Sequence, residues 1–104
     1  QIGTQQWMRK NLDVAFYRNG DPIPQVTDPT AWKDLTTGAW CYYNNDPSLG
    51  STYGKMYNWY AVAGIWQAES SPPTPAEIAS RKSLAPSDWN VSSVNDWLLI
   101  INYL

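Results

Sequence analysis

The clearest hydrophobic pattern lies at the end of the chain, in residues 93–104. Ser93 and Asp96 have the spacing of a capping box, which predicts that a helix begins here. Leu99 and Ile100 add apolar surface that lies off the main apolar face, so we expect another element or molecule to cover this helix. The main face is a helical stripe of five apolar positions: Val94, Trp97, Leu98, Ile101 and, approximately in line, Leu104.

A second helical pattern occupies residues 55–64. Apolar and aromatic residues recur there three and four positions apart, and Gly64 is a plausible C-terminal stop. Two shorter helices are predicted where a proline follows a capping side chain, at Asp28-Pro29 and at Thr74-Pro75. The pattern therefore predicts two main helices, at 55–64 and 93–104, and two minor ones.

Residues that favour β-structure form two segments, 2–8 (IGTQQWM) and 38–43 (GAWCYY), and both are predicted to be strands. The run NGDP at 19–22 predicts a tight turn, because Asn and Gly tolerate positive φ and Pro restricts its own backbone. Residues 44–54 are predicted to form a loop. With 104 residues and no internal repeat, the chain is predicted to be a single domain over 1–104.

Charge and hydropathy exclude two classes of partner. Seven basic and nine acidic residues are mixed along the chain, with a net charge of −2, so no basic surface for nucleic acid is predicted. No segment reaches the roughly 18 apolar residues of a membrane-spanning helix. The pattern of a signal peptide is not recognised within these residues, of which the first is Gln1. We interpret the chain as a mature form, a trimmed form or a piece.

The residue types on which many enzymes rely are scarce. The chain has no histidine, which excludes Ser-His-Asp and Cys-His arrangements. Its single cysteine, Cys41, cannot form an internal disulfide, and the aromatic residues beside it predict a buried structural thiol. Nothing in the sequence places two carboxylates across a cleft, as glycoside hydrolysis requires. We predict that the protein is not an enzyme and has no cofactor and no metal.

The segment GAWCYYNNDP, at 38–47, is the main candidate for a ligand surface. Aromatic rings can stack on a sugar, and the amides and carboxylate that follow can bind its hydroxyls. The same letters also describe a strand that enters an ordinary turn. Calcium is disfavoured, because it prefers six to eight oxygen ligands and only one carboxylate is present. The candidate ligand-binding residues are Trp32, Trp40, Tyr42, Asn44, Asn45 and Asp46.

Four blocks of sequence follow one another in the order of a known family: IGTQQWMRKNLDV, YRNGDPIPQ, TTGAWCYYNNDPSLGSTYGKMYNWYAV and LAPSDWNVSSVNDWLLIINYL. Through these blocks the chain resembles the Fibrobacter succinogenes major paralogous domain over essentially its whole length. The resemblance implies an α+β fold similar to that of C-type lectins, with two main helices and short antiparallel strands. It also implies a bacterial extracellular or cell-surface protein that binds a glycan or a protein surface.

The chain departs from this family pattern in two ways. Asn90 stands where the family usually has a histidine, and family domains continue well past the last helix. The chain therefore resembles the N-terminal half of such a domain, in other words a truncated C-type-lectin-like domain. Truncation would leave the apolar stripe of 93–104 uncovered, which predicts a homo-oligomer, most simply a two-fold dimer through that stripe. The alternatives are a self-associating structural fragment or a protein of a mobile element that has kept no ligand.

Overall fold

A computed structural model of the chain describes residues 2–103. Within them lie five short α-helices and one two-stranded antiparallel sheet, an α+β arrangement in a loose sense. No helix in this part of the chain is long and apolar enough to cross a membrane. The elements in chain order are α1 (Pro29–Lys33), β1 (Trp40–Cys41), α2 (Gly50–Tyr53), β2 (Met56–Tyr57), α3 (Trp59–Ala63), α4 (Pro75–Ala79) and α5 (Val94–Tyr103).

The helix starts that local chemistry predicted are confirmed. The side chain of Asp28 accepts a hydrogen bond from the Thr30 backbone N–H before α1, with Pro29 in the first turn. The side chain of Thr74 caps α4 in the same way, again with proline in the first turn. Ser93 and Asp96 form both hydrogen bonds of a capping box at the start of α5, at 2.8 and 3.2 Å. Each cap supplies acceptors for N–H groups that a helix cannot satisfy internally.

The helix predicted over 55–64 is shorter than its pattern indicates. It begins at Trp59, because Met56 and Tyr57 pair with Cys41 and Trp40 as β2. Asn58 separates the two elements: its side-chain oxygen accepts from the backbone N–H of Ala61 at 2.9 Å and so caps α3. The predicted stop is confirmed, since the residue after α3, Gly64, adopts the left-handed conformation at φ 81°.

The strand and loop predictions need larger corrections. Residues 2–8 do not form a strand; Ile2 and Gln5 exchange two backbone hydrogen bonds across a tight turn in which Gly3 has φ 59°. The strand predicted over 38–43 is limited to Trp40–Cys41. The predicted loop contains 3₁₀ turns at Tyr43–Asn45 and Pro47–Leu49 and the helix α2. The predicted turn at 19–22 is present, closed by backbone hydrogen bonds between Tyr17 and both Gly20 and Asp21.

The core is small and is organised around β1. Trp40 donates its indole N–H to the carbonyl of Ile23 at 2.9 Å, so this aromatic residue is buried with its polar group satisfied. The hydroxyl of Tyr57 bridges the backbone N–H and C=O of Val14, at 2.6 and 2.7 Å. Burial raises the pKa of Tyr57 to about 12. The buried cluster consists of Tyr17, Ile23, Trp40, Ala61 and Leu84.

The molecule is flat and exposes more surface than a compact monomer of its mass. Its dimensions are 40 × 40 × 23 Å, and its radius of gyration of 15.2 Å exceeds the roughly 13 Å of a compact chain of this length. The accessible surface is 7487 Å², against about 5,900 Å² expected for 11.8 kDa. The chain therefore has a surface excess on the order of 1,600 Å².

The pH dependence of the α4 cap provides one test of the fold. The Glu77 carboxylate accepts backbone N–H groups of Thr74 at 2.8 Å and Ser70 at 2.9 Å, and these bonds lower its pKa from 4.5 to about 2. Because the folded pKa is depressed, the stabilisation is present above pH 4.5 and is lost as the pH falls through about 2. Carboxyl NMR titration should give a midpoint near 2 in the folded protein and near 4.5 in urea. A folded-state midpoint near 4.5 would contradict the cap geometry.

Candidate functional site

Trp40, the central residue of the predicted aromatic platform, belongs to the core. Only 7% of its surface is exposed. The edge of the Tyr42 ring packs against it, with ring centroids 5.1 Å apart, and the ammonium group of Lys55 lies 4.8 Å from its ring centroid. Lys55 is held there by an ion pair with Asp13. Trp40, one of the predicted ligand-binding residues, therefore has little surface open to a ligand.

The two other predicted platform residues are half-buried. Tyr42 does lie beside Trp40, as the alternation of a strand predicts, but the contact is on the core side. Its ring packs so closely on Gly50 that a Cβ added to that glycine would approach it to 2.7 Å. Trp32 lies on α1. Packing thus leaves Tyr42 with limited room for stacking on a sugar.

The polar residues of the candidate segment form a turn. Asn44 and Asn45 have positive φ values of 55° and 53° and are exposed. The Asn45 side chain donates to the carbonyl of Thr27 at 3.1 Å. The Asp46 carboxylate accepts from the backbone and hydroxyl of Ser48, at 3.0 and 2.7 Å. Two of the three predicted polar binding residues, Asn45 and Asp46, therefore already make hydrogen bonds within the protein. Residues 2–103 contain no group of three or more metal-binding side chains.

An exposed aromatic pair that the sequence analysis did not identify joins this segment to α2. Tyr43 and Tyr53 are both about half exposed, and their ring centroids are 5.4 Å apart at an angle of 50°. Tyr43 lies just before the left-handed turn and Tyr53 ends α2. Alternation along a strand is a partial signal for this pair, since successive side chains point to opposite faces and Tyr43 would then lie opposite Trp40 and Tyr42.

Cys41 is not equipped for nucleophilic chemistry. Its side chain is half-buried in β1, which meets the prediction of a buried thiol only in part. Burial raises the pKa of this thiol, so the protonated form dominates at neutral pH. A thiol that stays protonated is a weak nucleophile and a poor metal ligand.

The predicted self-association stripe on α5 points into solvent. The exposed residues are Val94 (76%), Trp97 (53%), Leu98 (47%), Leu99 (57%) and Ile101 (63%). Leu104, the last predicted member, lies outside the described residues. Ile100, at 8% exposure, is the side chain of α5 that turns inward. Leu99, which the helical pattern placed off the stripe, thus adds to the exposed apolar surface.

The inner side of α5 rests on the first residues of the chain. The rings of Trp7 and Trp97 are in contact, with centroids 5.0 Å apart. The side-chain amide of Gln5 donates to the carbonyl of Asp96 at 3.2 Å and accepts from the Trp7 indole N–H, also at 3.2 Å. These contacts hold α5 in position. They cover part of the Trp97 ring, although Trp97 remains 53% exposed.

A polar groove of about 440 Å³ lies beside this contact. Two stretches of chain form its walls: residues 4–7 form the first, and Asp88, Trp89, Asn90 and Ser92, together with Asp96, form the second. The loop that forms the second wall is held by Arg18. The Arg18 guanidinium donates to the backbone carbonyls of Ala85 at 3.0 Å, Pro86 at 3.3 Å and Trp89 at 2.6 Å. Residue spacing carries no signal for this site, because its two walls are more than 80 residues apart in the chain.

The comparisons with known proteins give one match. The chain matches the family model of the Fibrobacter succinogenes major domain over residues 1–104. No curated protein matches, and no solved structure matches.

Proposed function

Because the chain belongs to the Fibrobacter succinogenes major domain family and exposes an apolar helix, we propose that it is a non-catalytic binding module whose α5 face binds a second copy of the chain. A C-type-lectin-like fold and an extracellular or cell-surface location, both implied by the resemblance, are part of this proposal. The absence of histidine and the raised pKa of the Cys41 thiol support a role without catalysis.

The exposed stripe of α5 carries the proposal. Five apolar side chains between Val94 and Ile101 are about half exposed or more, and Asp96 is the one charged residue in the helix. A surface helix normally presents charged or polar side chains to water. Covering apolar surface is favourable by about 25 cal/mol per Å². Covering this face with another surface therefore lowers the free energy of the system.

A second copy suits this surface in charge and in area. The segment 97–101 has no charged side chain, so two copies can meet there without bringing like charges together. A two-fold interface uses the same patch on both subunits, which requires such self-complementarity. A standard interface buries about 800 Å² per partner, which is about half of the surface excess of the whole chain, on the order of 1,600 Å².

Light scattering after size exclusion tests the dimer. The expected mass is twice 11.8 kDa at micromolar concentration. Ile101→Asp should convert it to monomer, with the dissociation constant raised about tenfold or more, because a carboxylate would be buried without a partner. Ile78→Asp is the matched control: Ile78 is 48% exposed on α4, outside the proposed face, and this variant should remain dimeric.

Two results would overturn the α5 dimer. One is a cooperatively folded wild-type monomer at all concentrations up to the highest that remains soluble. The other is a dimer that persists unchanged in the Ile101→Asp variant.

A structural role without any ligand is the second candidate function, since the proposed association through the exposed face of α5 requires no further molecule. The two candidates differ in whether the assembled protein also binds a further molecule.

A further inference from the structure

We propose that the groove between residues 4–7 and residues 88–92 binds a neutral sugar. This inference goes beyond the proposed function. It is tested separately from the dimer, because Ile101, the residue changed to test the dimer, does not line the groove. Its volume of about 440 Å³ falls in the usual range of small-ligand sites.

The two walls combine aromatic surface with polar groups. Trp7 and Trp89 both line the groove, and both are half-buried. Apolar ring faces suit the C–H faces of a pyranose. Gln6 and Asn90 add exposed side-chain amides, each of which both donates and accepts hydrogen bonds. That is the chemistry that matches vicinal hydroxyl groups.

The charge of the groove selects a neutral ligand. No lysine or arginine lines it, which disfavours phosphate, sulfate and acidic sugars. Of its two carboxylates, Asp96 already accepts a hydrogen bond from the Ser93 backbone N–H at 2.8 Å. Asp88 is exposed in the same wall and remains available as an acceptor. One available carboxylate among several amides and hydroxyls suits a polyol better than a cation.

Both walls are held in place before any ligand binds. Arg18 anchors the loop that carries Asp88 and Trp89 through three backbone carbonyls. Gln5 joins the other wall to α5 through the carbonyl of Asp96 at 3.2 Å. A preformed site loses little conformational entropy on binding, which favours affinity for a small ligand.

NMR titration with glucose, galactose and N-acetylglucosamine tests the site. At least one of these sugars should give saturable shifts of the indole N–H signals of Trp7 and Trp89, with a millimolar dissociation constant. Trp89→Ala should weaken binding at least tenfold, because the indole ring that would stack on the sugar is lost. The backbone carbonyl that accepts from Arg18 remains in this variant. Asn90→Ala should weaken binding severalfold without affecting the fold, because Asn90 is exposed.

Trp59→Ala is the matched control, since Trp59 is 64% exposed on α3 and does not line the groove. This variant should bind the sugar like the wild type. The Ile101→Asp variant should also bind it, which separates this inference from the dimer.

Three results would overturn the sugar site. The first is the absence of saturation with all three sugars up to about 100 mM, a concentration well above a millimolar dissociation constant. The second is saturation that neither Trp89→Ala nor Asn90→Ala changes. The third is Trp89-dependent binding of tetramethylammonium in place of the sugars, which would make the groove a cation site.

Discussion

Replacing Trp40 by alanine should lower the free energy of unfolding by about 3–5 kcal/mol, the usual range for a buried aromatic residue. The Trp40 ring is 7% exposed and packs against Tyr42. Its loss would also leave the carbonyl of Ile23 without the indole N–H, now 2.9 Å away. Because small domains are stable by about 5–15 kcal/mol, this single change should remove much of the stability of the protein.

Urea unfolding followed by circular dichroism measures the Trp40 effect without relying on tryptophan fluorescence. Trp40→Phe should lie between wild type and Trp40→Ala, because phenylalanine keeps a ring but not the N–H donor. Trp59→Ala is the control; Trp59 is 64% exposed on α3 and its removal should cost less than about 1 kcal/mol. A Trp40→Ala variant whose free energy of unfolding lies within about 1 kcal/mol of the wild type would behave like a surface substitution. That result would make Trp40 a candidate ligand-binding residue again.

Replacing Gly64 by alanine should lower the free energy of unfolding by roughly 2–5 kcal/mol, through strain and overlap together. Gly64 has φ 81°, where residues with a Cβ are strained. A Cβ at this position would also overlap the carbonyl oxygen of Lys82. The two backbones cannot easily separate, because the N–H of Lys82 donates to the carbonyl of Gly64 at 2.9 Å.

Gly20 provides the matched control for Gly64. It also has positive φ, 93°, but a Cβ there would meet nothing within 4 Å. Gly20→Ala should therefore show the backbone strain alone, about 1–2 kcal/mol. The difference between the two variants in urea unfolding measures the close approach of α3 to residue 82. Equal losses in both would mean that the overlap is relieved by a small shift of the chain.

The Gly64 contact joins the end of α3 to residues 82–84, the last of which is part of the buried cluster. The backbone N–H of Arg18 donates to the carbonyl of Ser83 at 2.8 Å, and Leu84 follows in the buried cluster. Residues 82–84 are thus held from two sides. Arg18 then extends the same connection to the wall of the polar groove through its side chain.

The sequence by itself determined the features that depend on neighbouring residues. The caps at Asp28, Thr74 and Ser93 and the stop at Gly64 are present where the pattern predicted them. Each involves a hydrogen bond or a backbone preference within one helical turn. Such chemistry is largely specified by the three or four residues that take part, so it could be recognised from their order alone.

Only the tertiary structure decided which side of each element is buried. Alternation placed Trp40 and Tyr42 together, but it did not say that residues 12–17 and 84 would cover them. The helical period defined the stripe on α5, yet it did not show that Ile100 is buried or that Trp97 meets Trp7. Gln5 and Asp96, which are 91 positions apart, meet at one edge of the groove. Burial depends on which distant segments meet, and a local pattern carries no information on that.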